Sequence, residues 1–514
     1  MANIFEQKNR NVIPNFRSYL ASAALGELGY NSLGGRPPME YNISENLEAW
    51  QRNKSIGLAG DLLSSAIVSG MTDLKQAKQA AEFILSHKSI ASITQVEIAN
   101  AVLSNKLGLT AEEQLPKISK FLDNKEQIYA RINKVRKFAI QCGTNAIYMV
   151  ELSRLYSILG NEKKSIKCME IALKLAPNNR YVLRSATRLF VHYNKREIAV
   201  EFLRNNPSTN FDPWLYSALL ATATSLERYS GYVKRAKLLK ASKDYSPYSL
   251  SELNSGLGTI DYLEGAKKKS KDNFQSALLG PNDNTLAQIE WVNSKEDFLE
   301  VEVNNYKLGR NYEALALESY NNEDWTNVVS HCESWFIDMP FNRYSVMMGA
   351  HISYVVLDDY SKAELFCRAG LFAQPSDPQL INNLAYALAL DGRTKEAQLE
   401  LDKVPPSSIN DTLTKICLTA TTGLVNFREG RLEEGRNHYA QAMELAKNKD
   451  IGHFYLALLN YFREEVIANQ PIEEELVDLV KGIKTNPKDI PLKIFKEKII
   501  KLFNKKGIVK PKSQ

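Results

Sequence analysis

A pattern that returns at 34-residue intervals constrains this chain more than any other feature. From Ala146 it reads Leu152, Ser153, Tyr156, Gly160, Ser165, Met169 and Ala172, closing near Pro177. A shift of 34 residues puts Thr187, Ala199 and Leu203 in the corresponding places. Later copies give Leu257, Gly258, Ser270, Phe274 and Ala277, then Ala350, Tyr354, Ala363, Cys367 and Gly370. Two more follow, with Leu384, Ala385, Leu388, Gly392, Ala397 and Leu401, and with Gly423, Gly430, Gly435, Tyr439 and Ala442. The apolar period between these marks is helical, so each copy reads as two helices and a turn. Antiparallel helices approach closely only where side chains are small, with large apolar residues filling the space between. Each hairpin then leaves an apolar face that only its neighbour can cover, and the units must stack. An all-α solenoid follows.

These marks resemble those of the tetratricopeptide repeat (TPR) family over roughly residues 144–450, most closely at 146–177, 344–375, 378–404 and 416–446. The resemblance implies a right-handed superhelix of helical hairpins whose first helices line a concave groove. Departures occur. Val328 and Trp335 stand where small residues are expected, as does His351, and residues 213–250 and 285–308 fall out of frame, predicting irregular or longer hairpins there. TPR proteins that hold acidic chaperone tails use a Lys/Asn clamp. Asn383 occupies one clamp place, but Met348, Ile352, Cys417 and Thr421 stand at the others, so chaperone-tail recognition is not expected.

The repeats divide the chain into four parts. Residues 1–43 read as a short helix around Tyr19–Leu28 and an irregular Gly/Pro-rich arm that packs on the solenoid or on a partner; residues 44–142 form a helical region with no clear repeat. Residues 143–450 hold the repeats and 451–514 the C-terminal helices. Helix-start signals include a capping box at Thr110 and Glu113, Asp450 before a long apolar stripe, and Pro471. In residues 489–506, Leu492, Phe495, Ile499, Leu502 and Phe503 form an apolar stripe opposite lysines. That fits a capping helix first, and otherwise a membrane-surface or nucleic-acid contact.

The formal charge of +6 hides a strong partition. Residues 493–514 alone carry eight lysines against Glu497. Residues 101–250 hold 25 basic and 12 acidic residues, whereas 251–400 hold 12 basic and 23 acidic. A solenoid keeps sequence neighbours close in space, so a basic half and an acidic half are expected. In the repeat frame Arg154, Arg184 and Arg188 lie on first helices, and the four-residue step from Arg184 to Arg188 puts both on one helix face. Guanidinium groups chelate carboxylates and phosphates, which points to an acidic peptide or a nucleic-acid backbone, with Lys234, Arg235, Lys237 and Lys240 extending the surface.

No catalytic constellation is legible. LGNEKKS at 159–165 lacks the second glycine of a phosphate loop and follows a helix. The six histidines show no metal-ligand spacing; His331 and Cys332 are adjacent and point about 100° apart on a helix. GYNSLGG at 29–35 is out of register for a nucleophile elbow. Pairs such as Asp358-Asp359 fit helix starts, where the dipole suffices to explain them. The five cysteines, never closer than 26 residues, exclude a CxxC pair and fit thiols in a reducing cytoplasm. Neither a signal peptide nor an apolar run of spanning length is present, so a cytoplasmic location is expected. Trp214, Trp291 and Trp325 are weaker candidates for a partner anchor. The sequence thus predicts a non-enzymatic interaction scaffold or regulatory subunit, without cofactor or metal, that binds a partner protein in its groove and is open to homo-oligomerisation. Alternatives are a nucleic-acid-binding or sensing solenoid, and an accessory subunit of a bacterial toxin or antiphage-defence effector.

Overall fold

A computed structural model describes residues 10–25, 27, 43–68, 74–103, 118–122, 125–141, 146–242, 244–405, 409, 411–486 and 488–507. Most of the Gly/Pro-rich stretch at 30–43, the GYNSLGG motif, the Thr110–Glu113 capping box, Cys142, Lys510 and Lys512 lie outside the described residues. Every regular element among the described residues is helical. Helix α1 (Tyr19–Ala24) follows an extended segment, and α2 (Ile43–Arg52), α3 (Ile56–Val68), α4 (Lys75–Ser86) and α5 (Ile93–Leu103) pack on one another in chain order. Helices α6 (Ile118–Leu122) and α7 (Lys125–Gln141) lead into the repeats.

The hairpins then run α8 (Ala146–Ile158) with α9 (Glu162–Leu175), α10 (Arg180–His192) with α11 (Arg196–Asn205), and α12 (Pro213–Thr224) with α13 (Ser230–Ala241). Next come α14 (Pro247–Leu263) with α15 (Lys267–Ala277), and α16 (Asp283–Asn293), whose partner helix is missing. The chain there makes only a short 3-10 turn, Val303–Tyr306. Regular pairing resumes with α17 (Tyr312–Asn321) and α18 (Trp325–Asp338), α19 (Arg343–Val355) and α20 (Tyr360–Ala373), α21 (Pro378–Leu390) and α22 (Thr394–Leu401), and α23 (Thr412–Arg428) and α24 (Leu432–Lys447). Helices α25 (Ile451–Ile467), α26 (Glu474–Gly482) and α27 (Ile490–Lys506) close the chain.

Irregularity is therefore confined to the second of the two out-of-frame segments. Residues 213–250 form an ordinary pair, because Asp212 caps α12 and Ser246 caps α14 through their side chains.

The small residues stand where the helices of a pair meet. Ser165 bonds Ser157 at 2.7 Å and Ser153 at 3.1 Å across the first hairpin, and Ser270 donates to the Gly258 carbonyl at 2.7 Å. A β-carbon on Gly349 would overlap the Phe366 ring, and one on Gly435 would overlap Phe427.

The stack also closes on itself. Gly160, in the first repeat turn at φ +65°, lies so near α20 that a β-carbon would come within 2.9 Å of the Ala373 carbonyl. Phe121 of α6 packs edge-on against Phe336 and Phe372, and the His192 ring meets Phe341. The first two repeats thus reach the helices between about 336 and 374, and the groove between them is enclosed.

Candidate functional site

The enclosed groove holds the chain's own N-terminal segment. Residues 12–17 are all buried, with Val12 and Phe16 fully so, although the segment has no regular structure of its own. Val12 and Ile13 pack on Ala221 of α12, and Phe16 meets Phe341 with ring centroids 5.6 Å apart. With this cover over Ala221 and with α10, α11, α13 and α14 packed around it, every residue of α12 is buried, whereas its partner α13 buries only Ala236 and Leu239.

Backbone groups of an extended, buried segment need partners, and side chains of the inner helices supply them. Gln288 donates to the Arg10 carbonyl at 2.8 Å, Asn284 to that of Ile13 at 3.1 Å, and Tyr181 to that of Arg17 at 3.1 Å. Tyr248 donates to the Leu25 carbonyl.

Two arginines fix the register. Arg10 forks onto both oxygens of Glu313 at 2.9 Å and reaches Gln288 and Asn284. Arg17 spans Asp338 at 2.6 Å and Asp283 at 2.5 Å, with Glu27 at 3.4 Å. Burial alone would favour loss of the Arg17 proton, but Asp283, Asp338 and Glu27 outweigh it and raise the pKa well above its ordinary value. Burial pushes Glu27 up to about 7 against the pull of Arg17, and raises Asp283 in the same way.

The six basic residues singled out from the sequence are not one surface. Arg184 is buried and forks onto Glu252 at 2.6 and 3.0 Å, across to α14, with its guanidinium 4.5 Å from the Trp214 ring centroid. Burial pushes Glu252 up, yet Arg184, Asn282 and Asn284 together hold it below the ordinary carboxylate value. Arg154 is engaged by Glu151 at 2.9 Å, three residues earlier on its own helix. Arg235 donates to the Asn210 carbonyl at 2.7 Å and lies over Phe211. Lys234 and Lys237 are exposed on α13, the outer helix of its pair. Arg188 differs from the other five. It lies in the groove within the field of Glu313, Tyr344, Arg10 and Arg17, it has no hydrogen bond or ion pair among the described residues, and burial lowers its pKa. One turn on, His192 is held neutral, its pKa brought down to about 3 by burial and by Arg188. Its Nε2 is buried without a partner. Arg184 and Arg188 stand one turn apart on α10, and a carboxylate 68 residues away engages the first of them.

Trp214 and Trp291 are buried, and Trp325 is half-buried against Tyr320, so none of the three is a free anchor. A cleft of about 840 Å³ opens beside α16, where the missing helix leaves Glu290, Glu318 and Asp297 facing Lys271 and Lys488. Glu290 is pushed up to about 7 by burial, against hydrogen bonds from Asn321 and Asn293. Among the described residues no three His, Cys, Asp or Glu side chains group as metal ligands, and no helix is long and apolar enough to cross a membrane.

Stacked hairpins meeting at small residues, with first helices turned inward, decide the architecture. The fold is TPR-like. No protein-family profile and no curated protein sequence matches the chain. Among solved structures, human IFIT1, as a dimer with PPP-AAAA, is similar at 15% identity, covering 79% of this chain and 94% of that one, with a TM-score of 0.35. Yeast Tom70 is 12% identical over 76% of this chain and 94% of its own, with a TM-score of 0.32. The maize pentatricopeptide repeat protein PPR10 is 10% identical over 91% of this TPR-like chain and 71% of its own, with a TM-score of 0.27.

Proposed function

We infer that this TPR-like chain is a non-enzymatic binding protein, a scaffold or regulatory subunit of cytoplasmic complexes, that recognises a partner protein through its groove. The observation that carries this reading is the reception of an extended backbone by Gln288 and Asn284 of α16 and Tyr181 of α10, inner helices of separate repeats. Such an arrangement binds chain irrespective of its side chains and leaves selectivity to charged positions nearby.

Of the six candidate residues, Arg188 retains unfilled donors in the groove and would receive an acidic side chain of the partner. Arg154 and Arg184 would act by holding Glu151 and Glu252, and Lys234, Arg235 and Lys237 would serve an outer face. The test is capture of the partner from extract of its own cells by immobilised full-length chain, with Arg188→Glu beside a Lys234→Glu/Lys237→Glu control. At least a tenfold loss of one co-purifying protein with Arg188→Glu alone supports the groove; equal recovery overturns it. Arg184→Glu is unsuitable, because it would bury a second carboxylate against Glu252.

One observation favours a second reading. Lys163, Lys167, Lys234 and Lys237 are exposed on the outer helices α9 and α13 with no ion pair among the described residues. A nucleic-acid backbone would suit that face, and its binding would fall steeply with salt in a gel shift.

A further inference from the structure

Resting on the partner-protein reading above, the remaining question is what kind of segment the groove selects. Its positions can be read from the segment already there. Between Arg10 and Arg17 the chain is extended, and the inner helices meet it with three distinct kinds of contact. Neutral side chains take its carbonyls. An apolar strip at Val191 and Ala221 takes Val12 and Ile13. Two carboxylate positions, Glu313 at one end and Asp283 with Asp338 at the other, take arginine guanidinium groups seven residues apart.

The carboxylates belong to α16, α17 and α18, more than 260 residues from the arginines in sequence. Neither position is a local helix pair, and each pre-exists as part of the solenoid wall. The match to the internal segment is incomplete, however. Arg188 stands beside both arginines and takes no hydrogen bond from the arm, and residues 11–16, Asn-Val-Ile-Pro-Asn-Phe, contain no carboxylate that could reach it. Arg188 is half-buried at the groove wall and makes no hydrogen bond or ion pair among the described residues, so the internal segment leaves its guanidinium open to a carboxylate.

We propose that the groove is a receptor for an extended, arginine-bearing segment of a partner protein, that Asp283/Asp338 and Glu313 read two of its arginines, and that residues 10–17 are an internal occupant which the partner displaces. The occupant supplies the counter-charges of Glu313 and Asp283 when no partner is present, and shares Asp338 with Arg310. A tethered segment acts at an effective concentration on the order of millimolar, so a free segment with the same contacts cannot compete. A partner prevails by adding a carboxylate for Arg188 while keeping the two arginines.

The test uses full-length protein and a fluorescein-labelled peptide of residues 8–20. Wild-type chain is expected not to bind it, because its own arm is in place. The Arg10→Glu/Arg17→Glu chain, whose arm loses both anchors, is expected to bind the peptide at micromolar concentration, at least a hundredfold more tightly than wild type. Adding Asp283→Asn and Asp338→Asn is expected to weaken that binding at least tenfold. A double variant that is folded by circular dichroism and monodisperse yet binds no peptide overturns the proposal. If the double variant fails to fold, hydrogen exchange of wild-type residues 11–17 decides. Release of the arm ahead of α12 and α16 supports displacement, and exchange only on global unfolding overturns it. Concentration-dependent dimers that trade arms would instead assign the groove to a second copy of this chain. Failure of the peptide while Arg188→Glu still abolishes partner capture removes only this selectivity; failure of both removes the partner-protein reading as well.

Discussion

The two ends of the chain are both basic and both dock on the solenoid, yet they do so by opposite physics. At the N-terminal end, Arg10 and Arg17 are buried and each engages carboxylates with its planar fork. At the C-terminal end, α27 buries Leu492, Phe495, Ile499 and Phe503 and leaves its lysines at the rim. Lys498 donates to the Val355 and Val356 carbonyls and reaches Asp358 at 2.6 Å, beside the end of α19. Lys506 donates to the Ile467 carbonyl at the end of α25, and Lys496 to those of Lys481 and Ile483 around the end of α26. Lysine ammonium groups thus satisfy open carbonyls at helix C-termini, where the dipole favours positive charge. Arginine is used where two acceptors must be held in one plane, and lysine where a point charge suffices. Lys493, Lys501 and Lys505 remain exposed on the outer side of α27.

This contrast can be broken from either end. Arg17→Ala leaves Asp283 buried without a counter-charge, beside an Asp338 that keeps only Arg310, and should cost about 3–5 kcal/mol of stability, read from urea unfolding followed by circular dichroism. Ile499→Ala removes packing but strands no charge. It should cost about 2–4 kcal/mol and free α27 alone, visible as faster hydrogen exchange in 490–506 with residues 11–17 still protected. Loss of arm protection in that variant would show that the two ends are not independent.

The third experiment is a pH series. Glu27 faces Arg17, Asp283, Arg184 and Glu252, and its folded pKa of about 7 lies above the ordinary 4.5. The fold therefore favours the protonated acid; its contribution is complete below about pH 4.5 and is lost as pH rises through 7. Protection of residues 11–17 should fall by about 1–3 kcal/mol between pH 5 and 8 in wild type. Glu27→Gln should flatten that fall, and an equally steep fall in the variant would remove Glu27 as its source. Lys498→Ala should have the smallest effect, below about 1 kcal/mol, because its ion pair is half-exposed and screened. A larger loss in a thermal melt would mean that the carbonyl contacts of Val355 and Val356 matter more than the charge.

How much of this was legible in the sequence follows from separation along the chain. The hairpin contacts are local. Ser153 meets Ser165 at a separation of 12, so fixed spacing announces them. The stripe on α27 is readable for the same reason, since one helix face repeats within a few residues. The arm gave no such signal. Arg10 and Arg17 stand in an aperiodic stretch, and their acceptors lie on three different helices far down the chain. The sequence expectation of an arm packed on the solenoid or on a partner concerns the Gly/Pro-rich stretch at 30–43, most of which lies outside the described residues, and gives no place to residues 10–17, which occupy the groove. Arg184 shows the same limit from the other side. Its position on the inner helix was readable, while Glu252, which occupies it, belongs to another repeat. The partition of charge between halves was visible as a count, and its use as an internal bridge depended on which first helices become neighbours.

Threading imposes an order in time. Arg17 is synthesised 321 residues before Asp338. At roughly 5–20 residues per second, that interval is about 16–64 s. Throughout it the segment carrying Phe16 has no complete groove to enter, and once Ala221 is made the half-built wall presents an apolar strip there to whatever else is near. Slowing elongation between codons 220 and 340 should therefore lengthen the exposure of nascent chains to chaperones.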